Sequence, residues 1–267
     1  MNPIYDLPPW QFGGLTIVVF VAVALGGLVA TRAWFRGRGL HALVDNGVIG
    51  WIFSAILVIY AIAIGLTAVQ SWGNEERAAG EASDEASRIA ALYRDLSGYP
   101  DPPRTELRAL LRDYTRVVIE EEWPVQRRGE IPEGGNAVLE GFERLLFSFA
   151  PANDNQRIAY AEALRTYNQL LEERRERLEA VEYAVPGELW GVVIAGAIIS
   201  LAASWVFRLE SLTLHGLMTG LLAAMIGLVV FFIATIDRPY RGKDSVTPFA
   251  YEILLHDLMG KETPRPP

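Results

Sequence analysis

The residue types that most often carry out chemistry are few in this chain and widely spaced. The three histidines, His41, His215 and His256, form no HExxH or similar metal-ligand spacing. There is no cysteine, which excludes disulfides, thiolate metal sites and cysteine nucleophiles. The sequence also lacks a GxSxG motif, a GxGxxG motif and a phosphate-binding loop. We therefore predict that the protein is not an enzyme and has neither a cofactor nor a metal site.

Three polar features are weaker candidates, and each has a structural interpretation beside the functional one. His215 lies near the start of an apolar stretch, where it is either an interfacial side chain or a pH-sensitive group. The acidic run 120–122 is either solvated helix surface or, functionally, a weak cation site or a ring of charge in a cytoplasmic vestibule. Asp237 follows another apolar stretch, where we expect a structural turn in which it pairs with a basic residue. A gating or docking role for this turn is the alternative.

Four apolar stretches must position any site that the chain contains. Hydrophobic residues make up 51% of the sequence and are concentrated in blocks. The blocks cover residues 11–30, 45–72, 188–207 and 212–236, and each has about the 20 residues that span a bilayer. No block has a charge at its centre, which counts against a proton-coupled carrier. The first block lacks the basic start of a signal peptide, so we expect it to be a retained membrane helix.

A polar segment between the second and third blocks carries the whole negative excess of the chain. Residues 74–184 contain 15 basic and 23 acidic residues, whereas the rest of the chain contains nine of each. An acidic surface argues against nucleic acid as a partner, because phosphate contacts need clustered basic residues. We expect four helices in this segment, the first of which continues from the second membrane helix without a break.

These features predict an all-α membrane protein with four transmembrane helices and a helical cytoplasmic domain between spans two and three. The predicted domains are an N-terminal transmembrane hairpin (1–73), the cytoplasmic domain (74–185), a C-terminal transmembrane hairpin (186–238) and a cytoplasmic tail (239–267). Near the ends of the spans, eight basic residues lie on the side of the middle segment and four on the other side. The positive-inside rule then places both termini in the cytoplasm.

Several motifs resemble those of the DUF4239 or bestrophin-like family of bacterial and plant membrane proteins. The segments IGWIFSAILVIYAIAIGL, QSW and EASRIAALYR are similar to the family's opening pattern. RDYTRVVIEEEWPVQRRG resembles its Tyr-then-Glu-Trp-Pro stretch, and VPGELW resembles its Pro-x-x-Trp start of the third span. IDRPYRGKDSVTPFAYE is similar to its Asp-x-Pro-aromatic-x-Gly tail, with Tyr240 where phenylalanine is expected. The resemblance covers most of the chain.

The resemblance implies kinship with bestrophins, which are pentameric ion channels with four spans in each subunit. Their second span lines a pore with an apolar neck, and their helical cytosolic part lies between spans two and three. For this chain, the resemblance implies a homo-oligomeric channel, a pentamer by analogy, in a bacterial inner membrane. Its partners would then be the lipid bilayer, inorganic ions and further copies of the same chain.

The second apolar block has two faces that differ in residue size. One face carries small residues: Gly50, Ser54, Ala61, Gly65 and Ala68. The opposite face carries Ile52, Ile56, Ile59, Tyr60 and Ile64. Ile52, Ile56, Tyr60 and Ile64 are our predicted pore-lining residues, and the plainer interpretation is a packing face and a lipid face. The competing function is a non-conducting membrane scaffold or sensor whose helical domain docks a partner.

Overall fold

The computed structural model of the protein describes residues 8–38, 45–242 and 245–260. All regular secondary structure within these ranges is helical, and no strand occurs in them. Four helices are long and apolar enough to cross a membrane. The predicted all-α class with four membrane helices is therefore confirmed.

The helices follow one another with short connections. In chain order they are α1 (Pro9–Arg38), α2 (Asn46–Asp95), α3 (Pro103–Val117), α4 (Trp123–Gln126), α5 (Gly135–Ser148), α6 (Asp154–Glu179), α7 (Gly187–Trp205), α8 (Leu212–Ile236) and α9 (Phe249–Ile253). A π-helical turn, Val118–Glu122, joins α3 to α4, and a second one, Leu254–Met259, follows α9. Such turns insert one residue into the helical repeat and re-aim the side chains around them.

Helix α2 is the longest element, with 50 residues. Its first part is the second apolar block, and its later part is rich in alanine, glutamate and arginine, which favour helix. No proline lies between Asn46 and Asp95, so nothing in the sequence ends the helix where the apolar block ends. The predicted continuation of the second membrane helix into the polar segment is confirmed.

The described chain forms two compact units. The first, which we call the membrane unit, consists of α1, the part of α2 up to Gly73, α7 and α8. The second, which we call the polar unit, consists of the rest of α2, helices α3 to α6 and α9. The tail helix α9 therefore packs with the helices of the middle segment.

Small residues allow the helices of the membrane unit to approach one another closely. A Cβ atom on Gly27 of α1 would lie 2.1 Å from Cζ2 of Trp205 on α7. A Cβ atom on Gly196 of α7 would lie 2.4 Å from Cδ2 of Tyr60 on α2. The core between the helices is apolar: Ala24, Tyr60, Ile64, Val193, Ala197, Leu201, Ala223, Ile226, Val230 and Ile233. Close packing of this kind is the main source of helix association in a membrane.

The polar unit has a conventional amphipathic core. Helix α3 buries Leu107, Leu111 and Tyr114 at helical spacing, and α5 buries Leu139, Phe142 and Leu146. Helix α6 differs, because its buried face includes Arg174 and Arg177 among apolar residues. Two arginines on an inward face require buried partners of opposite charge.

Candidate functional site

The four predicted pore-lining residues lie on α2, but they do not share one exposed face. Ile52 is 57% exposed, and Ile56 is partly exposed. Tyr60 and Ile64 are only 7% and 8% exposed and belong to the apolar core of the membrane unit. The ring of Tyr60 covers Gly196 on α7. Within one subunit, the chain itself therefore covers Tyr60 and Ile64, and the lining of a pore by the four residues stays a prediction.

The exposed side of α2 in the membrane unit is apolar along its length. Ile52, Ile59 and Leu66 recur every seven residues and are 57%, 70% and 66% exposed. Other large apolar side chains are exposed beside them: Val58, Ile62 and Val69. The helix carries no charged residue between Asn46 and Asn74. A surface of this composition suits lipid, another apolar helix or the wall of a hydrophobic constriction.

The histidines occupy separate environments. His41 lies outside the described residues. His215 is buried, and its Nε2 donates to the carbonyl oxygen of Ser204 at 3.0 Å. His256 is exposed, with its Nδ1 atom 2.8 Å from Oδ1 of Asp257. Within the part of the chain that the structure describes, no group of three or more potential ligands is placed to hold a metal ion.

The polar unit contains a cluster of buried charges that sequence reasoning missed. We call it the buried ion network, and its members are Glu85, Glu122, Arg174 and Arg177. Arg177 donates from Nη2 to Glu122 Oε2 at 2.7 Å and from Nε to Glu85 Oε2. Arg174 donates from Nη2 to Glu122 Oε1 at 2.7 Å and from Nη1 to Oε2 at 3.0 Å. Two carboxylates face two guanidinium groups, so the buried charges balance.

Neutral donors satisfy the remaining carboxylate lone pairs. The hydroxyl of Tyr251 donates to Oε2 of Glu85 at 3.0 Å, and the hydroxyl of Tyr114 donates to its Oε1. The backbone N–H of Gly135 donates to Oε1 of Glu122 at 2.8 Å. A Cβ atom on Gly135 would lie 2.7 Å from that same oxygen, so the contact requires glycine. The network and these donors thus join α2, α3, α5, α6 and α9.

The pKa values of Glu122, Tyr114 and Tyr251 are shifted in the directions that favour an ionised carboxylate and protonated hydroxyls. Burial acts to raise the pKa of Glu122, but hydrogen bonds and positive charge from the two arginines outweigh it and lower that pKa below the ordinary value. Burial, reinforced by the charge of Glu85, raises the pKa values of Tyr114 and Tyr251 well above those of free phenols. At neutral pH, Glu122 is therefore ionised and both tyrosines are hydrogen-bond donors.

The acidic run 120–122 is divided between surface and core. Glu120 and Glu121 are exposed, as predicted, whereas Glu122 is completely buried, so the solvated interpretation is wrong for this residue. The π-helical turn Val118–Glu122 ends on it, and its carboxylate is directed to the two arginines. The available signal was the family-like Tyr-then-Glu-Trp-Pro stretch, because its tyrosine, Tyr114, and its Glu122 both join the network.

Asp237 has a structural role in the membrane unit, with partners that differ from the prediction. It is 6% exposed, and its Oδ1 accepts the backbone N–H of Val185 at 2.7 Å. Its Oδ2 accepts the indole N–H of Trp190 at 3.3 Å. The predicted pairing with a basic residue is corrected, because these donors are an amide and an indole. The VPGELW and IDRPY motifs therefore meet through one carboxylate that ties the start of α7 to the end of α8.

Comparison with known proteins finds similarity over most of the chain. The family model of the Bestrophin-like domain matches residues 18–251. The chain has no significant match among curated protein sequences. A bacterial bestrophin homologue from Klebsiella pneumoniae, solved as a point mutant, has the same fold, with 11% sequence identity and a TM-score of 0.69. The similarity covers 91% of this chain and 98% of the homologue.

A second solved structure, described as a mutant membrane protein, gives the same result. It has 11% identity and a TM-score of 0.69, and the similarity covers 93% of this chain and 97% of the other. At this level of identity the likeness establishes the fold. The family match extends from within α1 to α9 and includes α2, the buried ion network and Asp237. The chain belongs to the bestrophin-like family.

Proposed function

We propose that the protein is a homo-oligomeric ion channel whose pore is lined by α2. The observation that carries this proposal is the family match over residues 18–251, since kinship with bestrophins implies conduction of inorganic ions. The shared fold supports it, because the bestrophin homologue is similar over more than nine-tenths of both chains. The membrane helices have no charged residue at their centres, which is compatible with a channel that is gated by an apolar constriction.

The channel requires several copies of the chain. One subunit has four membrane helices, which are too few to enclose a pore, so α2 helices from several copies must surround a common axis. Each copy must then offer an α2 surface that its own chain leaves uncovered. The face with Ile52, Ile59 and Leu66 meets this condition, whereas Tyr60 and Ile64 do not. We therefore propose that these three exposed residues line the neck.

The proposed location is a bacterial inner membrane with both termini in the cytoplasm. The buried ion network affects the charge count on which this orientation rests. Arg174 and Arg177 are buried and paired, so neither is available to interact with the membrane surface. Without them, six basic residues remain on the side of the middle segment against four on the other side. Basic residues still outnumber those on the other side, so the positive-inside rule supports the same orientation.

Planar-bilayer recording of the purified protein tests the proposal. Wild-type protein is expected to conduct, and Ile59→Ala and Leu66→Ala are expected to raise the unitary conductance because a smaller side chain widens the neck. Ile198→Ala on α7 is the matched control, because Ile198 is an isoleucine of similar exposure, 60%, on another membrane helix. This control is expected to leave the unitary conductance unchanged.

Two results would reject the channel. Absence of current under every ionic condition, or a monomer in detergent, would favour the scaffold or sensor whose helical part docks a partner. A different outcome would reject only the face of α2 that we assign to the pore. In that outcome, Tyr60→Ala changes the conductance but keeps the wild-type thermal stability, and Ile59→Ala keeps the wild-type conductance.

A further inference from the structure

One buried carboxylate in the polar unit lies outside the buried ion network and has no basic partner. Glu81 on α2 is 9% exposed, and its Oε1 accepts a hydrogen bond from the hydroxyl of Tyr183 at 2.9 Å. Its Oε2 is buried and has no hydrogen-bond partner among the described residues. Glu85 and Glu122 differ from it, because Arg177 neutralises both. Of these three buried carboxylates, Glu81 is therefore the one whose ionisation costs most.

The groups that surround Glu81 do not supply the missing positive charge. Glu176 and Glu179 on α6 act on it with negative charge. A basic residue, Arg77, lies one turn earlier on α2, but it is exposed, and its guanidinium carbon is 5.7 Å from the centre of the Tyr183 ring. The other titratable neighbours are Tyr183 and Tyr240, together with Glu85 and Arg177, which pair with each other. Negative charges outnumber positive ones in this set, which favours a neutral Glu81.

Burial and repulsion together raise the pKa of Glu81 above its ordinary value. Burial is the largest cause, and the charges of Glu176 and Glu179 act in the same direction. The hydrogen bond from Tyr183 and the charge of Arg77 lower the pKa without cancelling this increase. The folded protein therefore binds a proton at Glu81 more tightly than the unfolded chain does. Its contribution to stability is complete below the unfolded pKa and is lost as pH rises through the folded pKa.

The hydrogen bond between Tyr183 and Glu81 joins α2 to the connection between α6 and α7. Tyr183 directly follows the turn Ala180–Glu182, which buries Ala180 and Val181 in the core of the polar unit. We propose that Glu81 is a proton-binding switch that controls the contact between this connection and α2.

The two protonation states of Glu81 affect this contact differently. A protonated Glu81 keeps its hydrogen bond to Tyr183 and places no charge in the core. An ionised Glu81 is stabilised when the contact opens, because opening admits water to the carboxylate. The contact is therefore closed when the proton is bound and loosens as pH rises. The switch lies within the polar unit, and it does not depend on the proposed conduction of ions.

Hydrogen–deuterium exchange of the full-length protein in detergent, measured at several pH values, tests the proposal. After correction for the intrinsic pH dependence of exchange, the amides of residues 180–183 are expected to open several-fold more often as pH rises. The increase is expected above the unfolded pKa of about 4.3, since the folded pKa of Glu81 is higher. Glu81→Gln has nearly the shape of the protonated side chain and is expected to abolish this increase. Glu76→Gln, at an exposed position on the same helix, is the matched control and should retain it.

Two further variants, which keep Glu81 in place, should shift the midpoint of the pH dependence in opposite directions. Glu176→Gln removes a repelling charge and should shift the midpoint to lower pH. Tyr183→Phe removes the hydrogen bond to the carboxylate and should shift it to higher pH. The wild-type pH dependence in Glu81→Gln would show that the contact is only structural and would overturn the proposal. A midpoint that neither Glu176→Gln nor Tyr183→Phe changes would also overturn it.

Discussion

Buried polar groups form different kinds of hydrogen bonds in the two units. In the membrane unit, two buried hydroxyls bond to the backbone of their own helix: Thr67 donates to Ala63 at 2.9 Å and Ser204 donates to Leu201 at 2.7 Å. In the polar unit, buried charges join elements that are distant in sequence, as Glu85 and Arg177 do across 92 residues. Asp237 and His215 are exceptions in the membrane unit. Asp237 joins the start of α7 to the end of α8, and His215 joins the start of α8 to the end of α7.

The difference shows two ways of specifying which helices meet. A hydroxyl bonded to its own helix is satisfied wherever that helix packs, so it selects no neighbour. In the membrane unit, the selection comes from shape, because Gly27 and Gly196 each receive one aromatic ring. In the polar unit, a misplaced helix leaves a charge of the buried ion network without its partner. The cost of that unpaired buried charge selects the native arrangement of helices. The comparison predicts different responses to substitution in the two units.

The largest expected effect is in the polar unit. Arg177→Ala leaves Glu85 buried with only the hydroxyls of Tyr114 and Tyr251 as partners. We expect the free energy of unfolding of the polar unit to fall by about 3–5 kcal/mol, the usual cost of an uncompensated buried charge. Chemical denaturation of the purified protein, followed by tryptophan fluorescence, measures this loss.

Arg175→Ala is the matched control for this prediction. Arg175 lies on the same helix, but its side chain is 65% exposed and pairs only with Glu172 and Glu179 on the surface. Surface ion pairs contribute little, so the control is expected to change the stability by less than about 1 kcal/mol. Equal losses from both variants would contradict the view that the buried network specifies the polar unit.

A smaller effect is expected in the membrane unit. Gly27→Ala places a methyl group on the ring of Trp205, which must move, at a cost of about 1–3 kcal/mol. Gly26→Ala is the matched control, because a Cβ atom on Gly26 has no neighbour within 4 Å. Thermal unfolding in detergent is expected to shift downwards for Gly27→Ala and to stay near the wild-type value for Gly26→Ala. If both shifts were the same, shape at this helix contact would not select the packing.

The smallest effect concerns pH. The pKa of Glu122 is lower in the folded protein than its ordinary value, so its contribution to stability is complete above the unfolded pKa of about 4.3 and is lost as pH falls below it. We expect the stability of the polar unit to decrease with acidification in this range. Glu122→Gln should decrease this pH dependence, and Glu121→Gln, at an exposed position, should retain it. An identical pH dependence in both variants would contradict the assigned role of Glu122.

The sequence alone determined the features that depend on local patterns. Runs of about 20 apolar residues predict membrane helices because each run by itself satisfies the length of the bilayer. The continuation of α2 through Gly73 follows from the absence of proline and from good helix formers on both sides. The family-like motifs also lie within short stretches, and two of these stretches contain Glu122 and Asp237.

Only the tertiary structure decided which side chains are buried, and with which partners. Arg174, Arg177 and Glu122 have the composition of a solvated surface, and they are buried because partners at least 50 residues away neutralise them. Tyr60 and Ile64 have the spacing of a pore face, but both belong to the apolar core of the membrane unit, where the ring of Tyr60 lies against Gly196 of α7. A periodic pattern defines the faces of a helix, whereas the element that packs against each face depends on contacts between residues that are distant in sequence. For that reason the sequence predicted the membrane helices, and the structure located their packed faces and the buried ion network.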